Sequence, residues 1–355
     1  MDKYRIDSHK LIYHVGRVNE WLKGEYTYPI YMEVSPAGSC NHRCVYCALD
    51  FMKYQPRFLD TAVFKNRLSE MGKLGVKSIM YAGEGEPFLH NDISDIIATT
   101  KRSGIDAAVT SNAVLFDEKI SNETLPYLTW IKISINAAKP DTYAKIHRTK
   151  PGDFNKVMKN MAYAVKIRRK NKYACTLGMQ IVLLPDNYRE VILLAKKSKE
   201  IGMDYLVVKP YSQHPLSKTN SFAGIKYDKY ANLHEKLMKL NDRHFNAIFR
   251  LHTMKKWDAA KRNYKHCLAL PFWAYIDAGG NVWSCSVYMT KKNFCLGNIY
   301  KDNFRDIWES KKRDNLVHWA AKKLNTDKCR INCRMDEINR YLWDLTHPSA
   351  HLNFI

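Results

Sequence analysis

From Pro29 onward, short apolar runs alternate with longer stretches in which apolar residues recur every three or four positions. The short runs cover residues 30–34, 78–82, 107–110, 130–135, 177–184 and 205–209. Each is rich in β-branched or large apolar side chains and is followed by turn-forming residues, which predicts strands. The stretches between them, 61–74, 93–103, 154–169 and 188–201, have helical periodicity; in the first, Val63, Leu68, Met71 and Leu74 fall on one face. Six β/α repeats in about 185 residues imply parallel strands joined by right-handed crossovers. Eight units close a barrel, so six predict an open one. The expected fold is α/β, a partial (β/α)6 TIM-like barrel.

The pattern changes on either side of that core. Residues 1–29 are a polar extension with one predicted helix at 11–22, and 30–215 form the barrel. Residues 216–266 read as a helical linker with a helix near 227–240. A small cysteine-rich α+β module, a β-hairpin plus helix, follows at 267–345, with a tail at 346–355. The only internal repeat is the β/α alternation.

With 355 residues, 46% hydrophobic and 26% charged, the chain can bury more than one domain's worth of core. No apolar run is long enough to span a bilayer, and MDKYRIDSHK lacks the apolar core of a signal peptide. No membrane partner is expected, and the expected location is cytoplasmic. Clustered cysteines in a reducing compartment bind metal or do chemistry more often than they form disulfides. Seven of the nine cysteines fall into two groups, leaving Cys175 and Cys295 outside them. Buried, unreactive thiols are the bland reading of that pair. The net charge of +22 attracts anions. Basic residues are spread along the whole chain, and the densest run, KIRRKNK at 166–172, reads as the solvated end of a helix. An anionic small substrate fits this better than nucleic acid.

The first predicted strand runs into SPAGSCNHRCVYC, which places Cys40, Cys44 and Cys47 at C-x3-C-x2-C spacing. Three thiolates on one short loop can hold three corners of a [4Fe–4S] cubane and leave the fourth iron open. A structural zinc loop is the competing reading.

This spacing, with Tyr46 before the last cysteine on a loop after the first strand, resembles the signature of the radical S-adenosylmethionine (SAM) superfamily. The resemblance covers about residues 30–215. It implies that SAM binds the open iron and is cleaved to methionine and a 5′-deoxyadenosyl radical, which takes a hydrogen atom from the substrate. It also implies an electron donor such as flavodoxin or ferredoxin. YAGEGEP after the second strand is similar to the family's Gly-Gly-Glu-Pro motif and makes Gly85, Glu86 and Pro87 SAM contacts; Glu84 stands where a glycine is usual. Ser111 and Asn112, Ser134 and Asn136, and Gln180 lie where similar enzymes contact SAM at the strand ends. Lys209 interrupts an apolar run and is the candidate to meet an anionic substrate group; Tyr211, Phe272 and Trp273 line the pocket or the core.

In the second group, CLALPFWAYIDAGGNVWSC reads as a hairpin with a glycine turn that returns Cys285 beside Cys267; Cys329 and Cys333 follow. The segment resembles the SPASM or twitch domains of radical SAM enzymes. Four cysteines match the shorter, twitch form, which implies one fully ligated auxiliary [4Fe–4S] cluster; a four-cysteine zinc site is the alternative. Such a cluster can accept an electron from a substrate radical, giving dehydrogenation. A thiol that returns a hydrogen atom instead gives epimerisation, and Cys295 is the candidate donor.

The reading that results is a radical SAM enzyme. It acts on a sugar, aminocyclitol or nucleotide-linked sugar by dehydrogenation or epimerisation. A peptide-modifying maturase and a non-enzymatic zinc protein that binds nucleic acid are the alternatives.

Overall fold

The structure is a computed structural model and describes residues 4–354. Strands β1 (Tyr31–Val34), β2 (Ser78–Tyr81), β3 (Asp106–Ser111), β4 (Leu128–Ser134), β5 (Thr176–Leu183) and β6 (Tyr205–Pro210) fall on the six predicted runs. Helix α1 (Val15–Leu22) precedes them. Helices α2 (Thr61–Lys73), α3 (Ile93–Arg102), α4 (Glu118–Thr124), α5 (Pro140–His147), α6 (Gly152–Asn171) and α7 (Val191–Ile201) form the crossovers. Local chemistry fixes their ends. The Asp60 side chain accepts from the Val63 amide at the start of α2, Asp117 does the same for Ile120 in α4, and Gly202 takes φ +92° past α7.

The two faces of the sheet differ. Met32 and Val34 of β1 are fully buried in the main core, which the helices of the outer face complete. Tyr31 and Glu33 point the other way, into the lumen. The parallel register carries this inner face across the sheet. Glu33 stands opposite Met80, Lys132 opposite Gly178, Gly178 opposite Tyr205, and Val182 opposite Lys209. Two small apolar clusters, Met80–Ala82–Ala108 and Tyr205–Val207–Ile248, line the lumen apart from the main core. Tyr4 and Ile6 pack on the second, at the N-terminal end of β6.

Three features differ from the expectation. Residues 216–266 hold more than helix: between α8 (Asn232–Met238) and α9 (Leu251–Ala259) lies β7 (Asn246–Phe249), a seventh parallel strand paired with β6. Four residues bounded by polar ones give too short an alternation to separate a strand from a loop. The predicted N-terminal helix breaks at His14 into a 3-10 turn (Leu11–Tyr13) and α1. Finally, the hairpin β8 (Trp273–Ile276) and β9 (Asn281–Trp283) joins the barrel itself: β8 runs parallel to β1. Its turn carries Gly280 at φ +78°, as the glycine pair requires. With β10 (Cys295–Asn298) antiparallel to β9, the sheet has ten strands in the order β10-β9-β8-β1-β2-β3-β4-β5-β6-β7. The module closes with α10 (Phe304–Trp308), α11 (Lys311–Lys322) and α12 (Asp336–Thr346). No helix among the described residues is long and apolar enough to cross a membrane.

Candidate active site

The cysteine loop leaves β1 and is held from below. The Gly38 amide donates to the Arg57 carbonyl at 2.8 Å, and the Glu86 amide donates to the Ser39 carbonyl at 2.8 Å. Gly85 explains why a glycine must follow Glu84: a Cβ there would stand 2.2 Å from the Ser39 carbonyl oxygen and 2.3 Å from that of Ala37. Cys40, Cys44 and Cys47 are half-buried free thiols. Burial pushes the Cys40 thiol up to about 12, with the Glu86 charge adding to it. Cys44 is pushed well above its ordinary range by burial and then by Cys47 and Cys40. Three thiolates confined together are costly alone and favourable on a cationic metal centre, so the trio fits an iron–sulfur cluster. His147 is a site residue that the sequence does not point to. Its Nδ1 lies 3.2 Å from Cys44 Sγ, its Nε2 lies 3.1 Å from the Ile135 carbonyl, and Tyr143 stacks on its ring. His42, paired with Asp153 at 3.5 Å, backs the same side. The spacing of these histidines, on separate elements, carries no ligand signature in the sequence.

The predicted strand-end residues assemble into separate groups. Glu86, fully within the protein, accepts from Ser111 Oγ at 2.6 Å, the Asn112 amide at 2.8 Å and the Phe88 amide at 3.2 Å. Burial raises its carboxyl to about 7 against those three bonds. Asn112 donates to Asn41 Oδ1 at 2.6 Å, so this group bolts β2 and β3 to the cysteine loop. Pro87 opens the 3-10 turn that Glu86 caps. In a second group, Asn136, buried with φ +52°, donates to the Tyr46 hydroxyl and accepts from the Val182 amide at 2.7 Å. In a third, Gln180 donates to Ser134 Oγ at 3.3 Å on the inner face. Glu86 and Asn136 thus spend their polar atoms on protein partners, while Ser134 and Gln180 meet in the lumen.

Glu84 proves to be a brace. Its carboxylate is 2.7 Å from Arg57 Nη2 and accepts from the Ala278 amide at 2.7 Å, in the turn between β8 and β9. The neighbouring Gly83, at φ +123°, lets Tyr275 approach: a Cβ would stand 2.3 Å from its hydroxyl oxygen.

In the second module, Cys267, Cys285, Cys329 and Cys333 lie close enough to raise one another. Burial is the main cause for each, and the other thiolates add to it for Cys267, Cys285 and Cys333. Asn339 Nδ2 donates to Cys267 Sγ at 3.5 Å, and the Tyr288 hydroxyl lies 3.3 Å from Cys329 Sγ. This donor set fits a closed, fully ligated cluster. Cys295 is not among them. It sits on the outermost strand, where Lys312 and Asp277 are its charged neighbours. Cys175 is buried.

On the inner face, burial lowers Lys132 to about 7, with Arg334 and Arg250 adding to it. Lys209 is pushed well below its ordinary value by burial and then by Lys132, Arg250, Arg334 and Arg330. Tyr211, Phe272 and Trp273 are buried; Tyr211 packs edge-on against Phe222 and Trp257.

An open barrel with three thiols at its mouth and four more in a module fused to its sheet is the layout of an iron–sulfur enzyme. The chain belongs to the radical SAM superfamily, which it matches over residues 34–197, and it carries a SPASM iron–sulfur cluster-binding domain at 267–334. Membership brings a [4Fe–4S] cluster, SAM and an auxiliary iron–sulfur cluster.

Among curated proteins, the chain is 32% identical over 152 residues to GTP 3′,8-cyclase of Clostridium botulinum, covering 39% of this chain and 44% of that protein. It is 26% identical over 203 residues to the S-adenosylmethionine-dependent nucleotide dehydratase of Lacinutrix mariniflava, covering 54% of this chain and 41% of that one. The chain thus spans less than half the length of these relatives. Among solved structures, SuiB of Streptococcus suis bound to S-adenosylmethionine superposes with a TM-score of 0.66 at 15% identity, over 96% of this chain and 79% of that one. That likeness is one of fold.

Proposed function

We propose that this chain cleaves SAM reductively and removes a hydrogen atom from a small, polar, anionic substrate held in the barrel lumen, with dehydrogenation as the net outcome. Cys40, Cys44 and Cys47 hold the SAM-binding cluster, and Cys267, Cys285, Cys329 and Cys333 hold the auxiliary one. When bound, the first cluster supplies the electron that splits SAM into methionine and the 5′-deoxyadenosyl radical. The chain's own residues shape the rest. Gly85 and Glu86 keep the cysteine loop against β2, Ser134 and Gln180 offer polar atoms to the bound cofactor, and Lys209 faces the substrate's negative charge.

The carrying observation is the placement of the second cysteine group. Arg330 follows Cys329 in the chain and connects the two regions by charge: its guanidinium is a charged neighbour of Lys209, and Cys333 is a charged neighbour of Arg330. These charge contacts favour a role for the second cysteine group in the lumen's chemistry. Dehydrogenation takes one hydrogen atom, one electron and one proton from the substrate, and a cluster held by Cys267, Cys285, Cys329 and Cys333 would supply the electron acceptor. Cys295, set among Lys312 and Asp277, shares none of these neighbours. This favours dehydrogenation over epimerisation.

The test is anaerobic incubation of the cluster-loaded enzyme with SAM and deuterated sugars, nucleotide-sugars or peptides. Deuterium entering 5′-deoxyadenosine from a sugar or nucleotide-sugar, with product two hydrogens poorer, is the expected result. Transfer from a peptide alone would replace this reading with a maturase.

A further inference from the structure

The barrel's inner face is loaded with cations that the fold itself does not neutralise. Its arginines are accounted for. Arg334 pairs with Glu33 at 2.8 Å, and Arg250 pairs with Asp7 at 3.1 Å. Arg330 donates to Ser212 Oγ at 2.7 Å and to its carbonyl at 2.8 Å, with the Cys333 thiol nearby.

The lysines are not. Lys132 on β4 has only the Trp130 ring, 5.2 Å from its ammonium nitrogen. Lys209 on β6 has no hydrogen bond or ion pair among the described residues. Both point into the lumen by register, on strands that flank β5, and each is half-buried. Their ammonium groups are near enough that Lys132 is the largest charge acting on Lys209. Lys10 adds a further positive charge near Lys132, against Glu33.

Lys132 stands at the level of Gly178 and Lys209 at that of Val182, and two ammonium groups withdrawn from water on one lumen wall either shed their protons or are held charged by an anion seated between them. We propose that the lumen seats a phosphate-bearing group of the substrate, a dianion held between the ammonium groups of Lys132 and Lys209. The inference rests on the reaction proposed above and names its substrate class, a phosphorylated small molecule. Lysine suits this. Ammonium groups are point charges with three rotatable donors and can converge on one tetrahedral dianion. The lumen's guanidiniums already have partners, so the two ammonium groups are left to meet the anion.

Calorimetric titration of inorganic pyrophosphate into the anaerobic, cluster-loaded enzyme tests this, with SAM saturating so that its own carboxylate is in place. The wild type is expected to bind pyrophosphate, and Lys132→Met/Lys209→Met to bind it about 100-fold more weakly or worse, from the loss of two charge-assisted bonds. Lys156→Met/Lys159→Met, on the exposed face of α6, removes the same net charge and is expected to bind as the wild type does. The proposal is overturned if the wild type ignores pyrophosphate, if either pair of substitutions gives the other's result, or if succinate binds as tightly. Should the lumen variant fail to fold, acetylation of the wild type by acetic anhydride decides: pyrophosphate should shield Lys132 and Lys209 and leave Lys156 labelled, and equal labelling refutes the site. An enzyme that cleaves SAM but ignores pyrophosphate loses only this inference. One that binds pyrophosphate but leaves SAM intact loses the reaction instead.

Discussion

The Glu84 carboxylate lies 2.7 Å from the Arg57 guanidinium, and its other oxygen receives the Ala278 amide. One side chain thus ties the SAM-motif loop to the turn of the cysteine-rich hairpin. Glu84 is fully buried and Arg57 one-third exposed, so removing the two has unequal effects. Arg57→Ala strands a buried carboxylate and should cost roughly 2–4 kcal/mol, below the full range for buried pairs because the arginine is partly solvated. Glu84→Gln keeps a hydrogen bond to Ala278 and should cost about 1 kcal/mol. Thermal unfolding of the two variants checks the order.

Glycine substitution should separate two sites. Gly85→Ala drives a methyl group into the backbone carbonyls of Ala37 and Ser39. It should displace the cysteine loop and remove roughly half of the bound iron, with the auxiliary cluster retained. Gly16→Ala, in α1 with nothing within 4 Å, should instead stabilise the chain by about 0.5–1 kcal/mol. Iron analysis and melting temperatures read these out.

Glu86 predicts a pH dependence of the metal-free chain. Its folded pKa is raised to about 7 from an ordinary 4.5, chiefly by burial. Between those values the folded state holds a proton that the unfolded state has released, so stability falls as pH rises. The loss is complete above the folded pKa and is on the order of 3 kcal/mol. Glu86→Gln should flatten the curve between pH 5 and 8 in chemical denaturation.

Cys295→Ala should leave iron content and substrate oxidation unchanged, because Cys295 lies outside the four auxiliary thiols and beside Lys312. Loss of product formation with intact SAM cleavage would instead make Cys295 a hydrogen donor and turn the reaction towards epimerisation.

Much of this is legible in the chain. The six barrel strands stand out because each is a short stretch rich in apolar residues between turns, and β5 is buried on both faces. The seven cysteines stand out by spacing. What escapes depends on tertiary contact. β7 is only Asn246–Phe249, and its strand character comes from pairing with β6. The fusion of the hairpin to the barrel rests on the register of Tyr31 with Trp273, which no local pattern encodes. His147 reaches Cys44 from 103 residues away. Asn136 and Glu86, polar at strand ends, read from sequence as ligands to SAM, and the hydrogen bonds they make in the fold, to Tyr46 and from Ser111, come from tertiary contact alone. Lys132, inside an apolar strand two positions before Ser134, carries the same signal as Lys209, and only the register shows the two facing one lumen.

The most direct test is iron and sulfide content together with 5′-deoxyadenosine formation, measured without oxygen on the wild type and on Cys40→Ala/Cys44→Ala/Cys47→Ala. Two cubanes predict roughly eight irons in the wild type and about four in the variant, with 5′-deoxyadenosine formed by the wild type alone. Zinc in place of iron, or SAM left whole by the iron-loaded wild type under strong reductant, would contradict it.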